Sequence, residues 1–268
     1  MKLAISHIAW PFQEESFFLE RIKDWGCSGL EIAPSRIWNE PYYSSSQDRK
    51  EYLSIIQKAG LEVVAIQALL YTRPDLGLFR EAETEKDTIS YLQKLCLVAH
   101  DIGAKIMVFG SPSNRKKGII PMNEALERAS SFFSILGNTA RELGVFFCIE
   151  PLGPAETDFI NTPQEGLKLV EMVSCKGFGL HLDSKALSET GSISKETFLL
   201  VKDKLKHFHI SESDLTEINS TGRVDHQQLS ENLKEIDYKG YVSIEMKTQP
   251  GHFHKIKRSI EYSYSTYL

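Results

Sequence analysis

Cysteine is scarce in this sequence and scattered. Four are spread over 268 residues, at Cys27, Cys96, Cys148 and Cys175, with no C-x-x-C pair, and three of them sit inside apolar patterns. A disulfide framework is therefore not indicated, and reduced, buried thiols in a cytoplasmic protein are expected. Basic residues are not in excess: 31 Lys and Arg face 36 Asp and Glu, for a net charge of −5. That argues against a nucleic-acid partner, whose phosphates need a basic surface, although it leaves room for a locally basic pocket. No apolar run approaches the length of a membrane span, so no membrane partner is expected. The N-terminus, MKLAISHIAWPFQEE, has only a short apolar run followed at once by acids, and it reads as a first strand rather than a signal peptide. No linker, low-complexity stretch or composition break divides residues 1–268, so one domain is expected. With 41% hydrophobic and 25% charged residues, a soluble core is within reach.

What is present is an alternation. Short β-rich runs recur at KLAIS (2–6), SGLEIA (28–33), LEVVAIQ (61–67), AKIMVFG (104–110), VFFCIE (145–150), GFGLHLD (177–183), HFHIS (207–211) and YVSIEM (241–246). Helical periods fill the gaps, including ESFFLERIKDW, QDRKEYLSIIQKAG, EKDTISYLQKLCLVAHDIG, NEALERASSFFSILGNTARELG, TPQEGLKLVEMV, KETFLLVKDKL and DHQQLSENLKEI. Thr162 and Pro163 form a helix-start signal, with a capping hydroxyl followed by a residue whose φ already suits the first turn. A glycine precedes five of the strands, as in KAGLEVVAI and YKGYVSIEM, where it lets the chain leave a helix through a left-handed turn. Eight strands alternating with helices predict an α/β fold, a single closed (β/α)8 barrel of the TIM type. An open doubly wound sheet is the rival and has no need of eight units.

Active sites of such barrels lie at the C-terminal ends of the strands. Strand five ends at Glu150, strand six at Asp183, strand seven with His209 and strand eight with Glu245. Three carboxylates and one imidazole suit a single divalent ion, Mn²⁺ foremost, with Mg²⁺, Co²⁺ or Zn²⁺ as alternatives. Side chains alternate along a strand, so Cys148, His181, His207 and Ser243 form the next inward layer, while Ile149, Leu182, Phe208 and Ile244 face outward. His181 and His207 are candidates for orienting the ligands from below.

These ordered segments, IEP, LD, H-I-S and IEM, resemble the xylose isomerase-like TIM barrel superfamily of sugar phosphate isomerases and epimerases, which includes the ketose 3-epimerases and, more distantly, endonuclease IV. The resemblance runs from KLAISHIAW to IEM. It implies that Glu150, Asp183, His209 and Glu245 hold Mn²⁺ or Co²⁺, that Glu150 and Glu245 also move the proton, and that Glu156 and the nearby Asn161 lie by the substrate. Two departures stand out. The epimerases carry a His three residues after the metal Asp and an Arg six residues after the metal His, both substrate contacts. This chain has Ala186 and Leu215 there. A substrate or reaction other than free-ketose 3-epimerisation is expected. A less characterised subgroup with SHIAW, FGSP-x-NR and HISES-x-L segments is also similar.

The chemistry expected of such a site is proton abstraction beside a metal-polarised carbonyl. Return of the proton to the neighbouring carbon isomerises a sugar, and return to the opposite face epimerises it. Loss of a β-hydroxyl would instead dehydrate a cyclic polyol or keto acid such as inosose or dehydroshikimate, which is the alternative reading. Other residues have weaker roles. Arg115, with Lys116 and Lys117 in GSPSNRKKG, is a candidate for holding a substrate phosphate or carboxylate, against the plainer reading of a solvated loop. Lys185 either meets substrate or pairs with an acid on the rim. Gln67 ends strand three on the inward parity. Glu31 ends strand two as a substrate acceptor or a partner for Arg36. Trp10 and Trp38 either wall the site or pack the core. Arg223 and His226 are candidates for closing over the site, with Asp225 as a helix cap in the plainer reading. His252 and His254 read as loop residues and not as ligands. A phosphodiesterase acting on abasic DNA would need extra histidines at the ends of strands two and three, where Glu31 and Gln67 stand. A purely sugar-binding barrel would not need a glutamate pair. A homodimer is possible, but nothing in the sequence marks its interface.

Overall fold

The eight expected strands are all formed, each overlapping its expected segment. In the computed structural model, which describes residues 1–268, the order is β1 (Lys2–Ser6), α1 (Glu15–Ile22), β2 (Gly29–Ile32), α2 (Ser46–Lys58), β3 (Glu62–Ile66), α3 (Ala82–Asp101), β4 (Ile106–Phe109) and α4 (Met122–Glu142). It continues with β5 (Phe146–Ile149), α5 (Pro163–Val173), β6 (Phe178–Asp183), α6 (Ser184–Glu189), α7 (Lys195–Val201), β7 (Leu205–Ser211), α8 (His226–Glu235), β8 (Tyr241–Glu245) and α9 (His252–Tyr267). Neighbouring strands pair in parallel, and β8 pairs with β1 to close the barrel. Closure leaves no sheet edge, so all eight strand ends meet around one rim.

Local chemistry explains the elements. At the start of α5 the Thr162 hydroxyl accepts the Glu165 N–H at 3.2 Å, and the Glu165 carboxylate accepts the N–H of Thr162 at 3.3 Å. With Pro163 in the first turn, this fixes the helix start just beyond the loop that carries Glu156. On α4 the buried Ala125, Ala129, Phe132, Phe133, Leu136 and Ala140 recur at helical spacing and face the barrel wall. Inside the barrel the two halves differ. Ala4, Val64, Ile106, Val108 and Cys148 form an apolar cluster. The interior of β2, β6 and β7 carries Glu31, His181 and His207, all buried.

Several expectations need correction. α9 forms where the sequence predicts no helix, and His252 and His254 lie in it rather than in a loop. Gly251 turns left-handed just before it (φ 71°), and Ile256, Ile260, Ser263 and Tyr267 then recur on one buried face. The helix expected from Lys195 stops at Val201, and β7 starts earlier, at Leu205. Before β8 the left-handed residue is Asp237 (φ 55°) rather than Gly240. The cysteines are all free, with Cys175 half-buried and the others buried. No helix is long and apolar enough to cross a membrane.

Gly29 shows how tightly the barrel interior is filled. A Cβ added there would meet Val64 Cγ1 at 2.5 Å, Tyr241 Cε1 at 2.7 Å and Ala4 Cβ at 3.1 Å. Ala4 and Val64 lie on the two strands that flank Gly29, and the Val64 side chain and the Tyr241 ring would have to shift to make room. Gly29→Ala is expected to lower the unfolding free energy by about 1–3 kcal/mol. Urea unfolding measures this. A midpoint equal to that of the unsubstituted chain would contradict the packing described.

Candidate metal centre and active site

Four acid-base side chains meet at the C-terminal rim. Glu150 is the first residue beyond β5, and Asp183 and Glu245 end β6 and β8. His209 lies opposite Asp183 in the β6–β7 register, and Glu245 lies opposite Ser211 in the β7–β8 register. One ligand atom from each of Glu150, Asp183 and His209 lies within 4.8 Å of the others. His209 Nδ1 is buried without a hydrogen-bond partner, while Glu245 Oε2 is 3.4 Å away and Glu150 Oε1 is 3.8 Å away. Gly110 has no side chain because Glu150 packs where a Cβ would project. Asp183 Oδ1 accepts the N–H of Ala186 at 2.9 Å and starts α6, and its Oδ2 accepts the Ser211 hydroxyl at 2.5 Å.

The electrostatics match the geometry. Burial pushes the Glu150 carboxyl well above the usual range, opposed by His209, and Glu245 and Asp183 push it further. Burial, with repulsion from Glu245, brings Asp183 up to about 6. Burial would lower His209, but Glu31 and Glu245 outweigh it and hold the ring protonated well above its ordinary value. The cluster therefore retains protons when no other cation is present. An oxygen-rich set with one imidazole, a free ring nitrogen aimed into it and retained protons fits a divalent ion, which would displace those protons. Glu150, Asp183, His209 Nδ1 and Glu245 would hold it.

Two residues near this set carried no such expectation. Glu31 does not touch Arg36, whose guanidinium instead donates to the Trp10 carbonyl at 2.7 Å. It is fully buried beneath the rim, with Oε1 2.9 Å from His209 Nε2 and Oε2 3.1 Å from His207 Nε2. Burial would raise its carboxyl, but the two imidazoles hold it well below the ordinary carboxylate range. The signal was an acid on the inward parity of the otherwise apolar run GLEI. Ser211 shares a strand face with His209 two residues earlier, and that spacing was its signal. His181 is buried with neither ring nitrogen hydrogen-bonded, Nδ1 lying 3.5 Å from Glu150 Oε1. Burial, reinforced by His209 and His207, keeps its ring neutral, well below its ordinary value.

The remaining candidates separate into near and far. Lys185 Nζ donates to Glu156 Oε2 at 2.8 Å and lies 3.9 Å from Glu189, so it pairs with acids on the rim. Gln67 donates to the Ser6 hydroxyl at 2.8 Å, and its buried Oε1 has no partner. Arg115 is not a solvent-facing anion hook. It is fully buried behind Glu150, donating at 3.3 and 3.4 Å to the carbonyls of Phe109 and Ile160, and burial brings its guanidinium down to about 10 against the opposing pull of Glu150 and Glu156. The Lys117 and Gly118 N–H groups are tied to Asp158. Asn161 braces its own loop by donating to the Leu152 and Thr157 carbonyls. Arg223 is exposed, and its hydrogen bonds are made by the backbone, its carbonyl accepting the Ser188 hydroxyl and its N–H donating to the Thr221 hydroxyl. His226 does not close over the rim. It is buried between Glu212 and Tyr267, and Asp225 caps α8. Trp10 stacks on Phe18 at 4.9 Å in the core, and Trp38 meets Tyr52 edge-on. His252 pairs with Glu14 at 2.8 Å, away from the rim set.

Known proteins show the same plan. The chain is 25% identical over 257 residues to a probable ketose 3-epimerase of Synechocystis sp., covering 91% of this chain and 84% of that one. It is 26% identical over 254 residues to a D-psicose 3-epimerase of Ruminiclostridium cellulolyticum, covering 91% and 83%. The crystal structure of D-psicose 3-epimerase from Clostridium cellulolyticum H10 superposes with a TM-score of 0.85 at 18% identity, over 100% of this chain and 99% of that one. Residues 19–266 match the profile of the xylose isomerase-like TIM barrel, and the chain belongs to that family.

Proposed function

We propose that the chain is a divalent-metal-dependent isomerase or epimerase acting on a sugar, keto-sugar or sugar phosphate. The observation that carries this reading is the convergence of Glu150, Asp183 and Glu245 around the unpartnered Nδ1 of His209. The ketose 3-epimerases among its relatives support a carbohydrate substrate. An ion held by Glu150, Asp183, His209 and Glu245 would supply Lewis-acid polarisation of a substrate carbonyl, making the neighbouring C–H acidic enough for an enediolate to form. One of Glu150 and Glu245 removes the proton beside the carbonyl, and the other, or the same one, returns it. The half-buried Glu156–Lys185 pair offers a substrate hydroxyl an acceptor and a donor at the same rim, whereas Gln67, whose free oxygen is buried, would need the pocket to open to reach one. Arg115, behind Glu150, acts on the charge of that carboxylate rather than on a substrate phosphate.

A dehydratase acting on a cyclic polyol or keto acid would share the first proton abstraction, and the departures at Ala186 and Leu215 favour a substrate unlike a free ketose. Incubation of the metal-loaded chain in D2O with ketoses, keto-inositols and sugar phosphates tests both readings. Deuterium in recovered substrate or its isomer is expected, whereas water loss with a new ultraviolet chromophore would assign the lyase. Glu150→Gln and Glu245→Gln are each expected to slow exchange by about 10²-fold or more. Full turnover with full metal content in both variants would contradict the mechanism.

Metal binding is expected to weaken in acid. His209 and Glu150 have raised values, so they carry protons that the ion must displace, and Asp183 joins them below about pH 6. Affinity should fall as pH drops through and below about 6, by about tenfold per pH unit for each proton displaced. Calorimetry in buffers of different ionisation enthalpy measures the protons released, and release of none would contradict the protonation scheme.

A further inference from the structure

The inward acid Glu31 lies below the rim and touches no solvent, so it is out of reach of a substrate. Both of its carboxylate oxygens are committed, Oε1 to His209 Nε2 at 2.9 Å and Oε2 to His207 Nε2 at 3.1 Å. An ionised carboxylate only accepts hydrogen bonds, so each imidazole must present an N–H at Nε2. For a neutral His209 this leaves the lone pair on Nδ1, the buried atom without a partner that faces Glu150 and Glu245. The bond also holds the ring plane, because Nε2 is anchored on β2 while the backbone is anchored on β7. His207 stands two residues before His209 on the same strand face and shares the anchor, which stops Glu31 from rotating away.

We propose that Glu31 is a positioning residue that commits His209 to bind the metal through Nδ1, with His207 as the strut that holds Glu31 in place. This rests on the metal-dependent reading above. A carboxylate behind a ligating imidazole fixes the ring and raises its basicity, and loss of such a partner typically weakens metal binding by about 10–100-fold. A glutamine at position 31 has the same shape but only one acceptor oxygen. Its NH2 group would face one of the two Nε2–H groups donor to donor, and that ring would have to move its proton to Nδ1. In His209 that would block the ligand atom.

The test is calorimetric titration of Mn²⁺ into the EDTA-treated full chain, as wild type, Glu31→Gln and His207→Phe, with thermal unfolding of each metal-free form. The expected result is one equivalent bound by wild type, a dissociation constant raised about 10–100-fold in Glu31→Gln and a smaller rise in His207→Phe. Glu31→Gln with unchanged affinity would overturn the proposal, as would a second bound equivalent in wild type that Glu31→Gln removes, since Glu31 would then be a ligand itself. Failure of wild type to bind Mn²⁺ would instead contradict the metal-dependent reading. If Glu31→Gln folds poorly, ¹⁵N spectra of the histidines in the wild-type Zn²⁺-loaded chain decide the matter. A protonated Nε2 and a metal-shifted Nδ1 at His209 support the proposal, and the reverse pattern overturns it.

Discussion

The rim of this barrel concentrates negative charge where water is largely excluded. The carboxylates of Glu150 and Asp183 lie within 4.8 Å of the same imidazole and of each other, and Glu245 is 3.4 Å from that imidazole. Two unit charges at such a spacing repel by about 3–4 kcal/mol at an effective dielectric of 20. Permanent cations do not cancel this: Arg115 is drawn on by both Glu150 and Glu156, and Lys185 is paired with Glu156, which leaves the protonated His209 ring as the one positive group inside the cluster. A folded chain holds this cluster together only with protons or with a bound cation, and a divalent ion meets the need with one species. Burial foremost, with repulsion among the carboxylates, raises Glu150 and Asp183, and the attraction of Glu31 and Glu245 raises His209 against its burial.

Much of the surrounding structure serves the same constraint. The parallel register brings Asp183 beside His209 and Ser211 beside Glu245, so one sheet geometry sets their mutual positions. Asp183 is held from two sides, by the Ser211 hydroxyl and by the first turn of α6, and this leaves it little rotational freedom. Beneath it the polar layer of Glu31, His181 and His207 replaces the apolar filling found between β3, β4 and β5. The barrel thus stabilises itself through hydrophobic packing on one side of its interior and keeps a hydrogen-bonded foundation for the rim on the other.

The alternation of strands and helices was legible because period-2 and period-3.6 patterns report burial directly, and the four rim residues because they end strands. What lay outside the sequence were pairings between distant segments. Glu31 and His209 are 178 positions apart, and only barrel closure brings β2 and β7 to face each other across the interior. Arg115 read as part of a solvated basic loop because its neighbours are lysines. The turn Pro112–Arg115 folds it inward, where two carbonyls accept it. α9 was missed because its first turn carries histidines and no capping side chain, and its hydrophobic face begins only at Ile256. The start of helix α5 was readable from Thr162 and Pro163 because its capping partners are local, and the structure adds the reciprocal bond from Glu165.

The most direct test is anomalous diffraction from crystals of the chain soaked in Mn²⁺. The account predicts a single strong peak about 2.0–2.3 Å from one oxygen each of Glu150, Asp183 and Glu245 and from Nδ1 of His209. No peak at the rim, or an ion bound through Nε2 of His209 in the layer below, would contradict it.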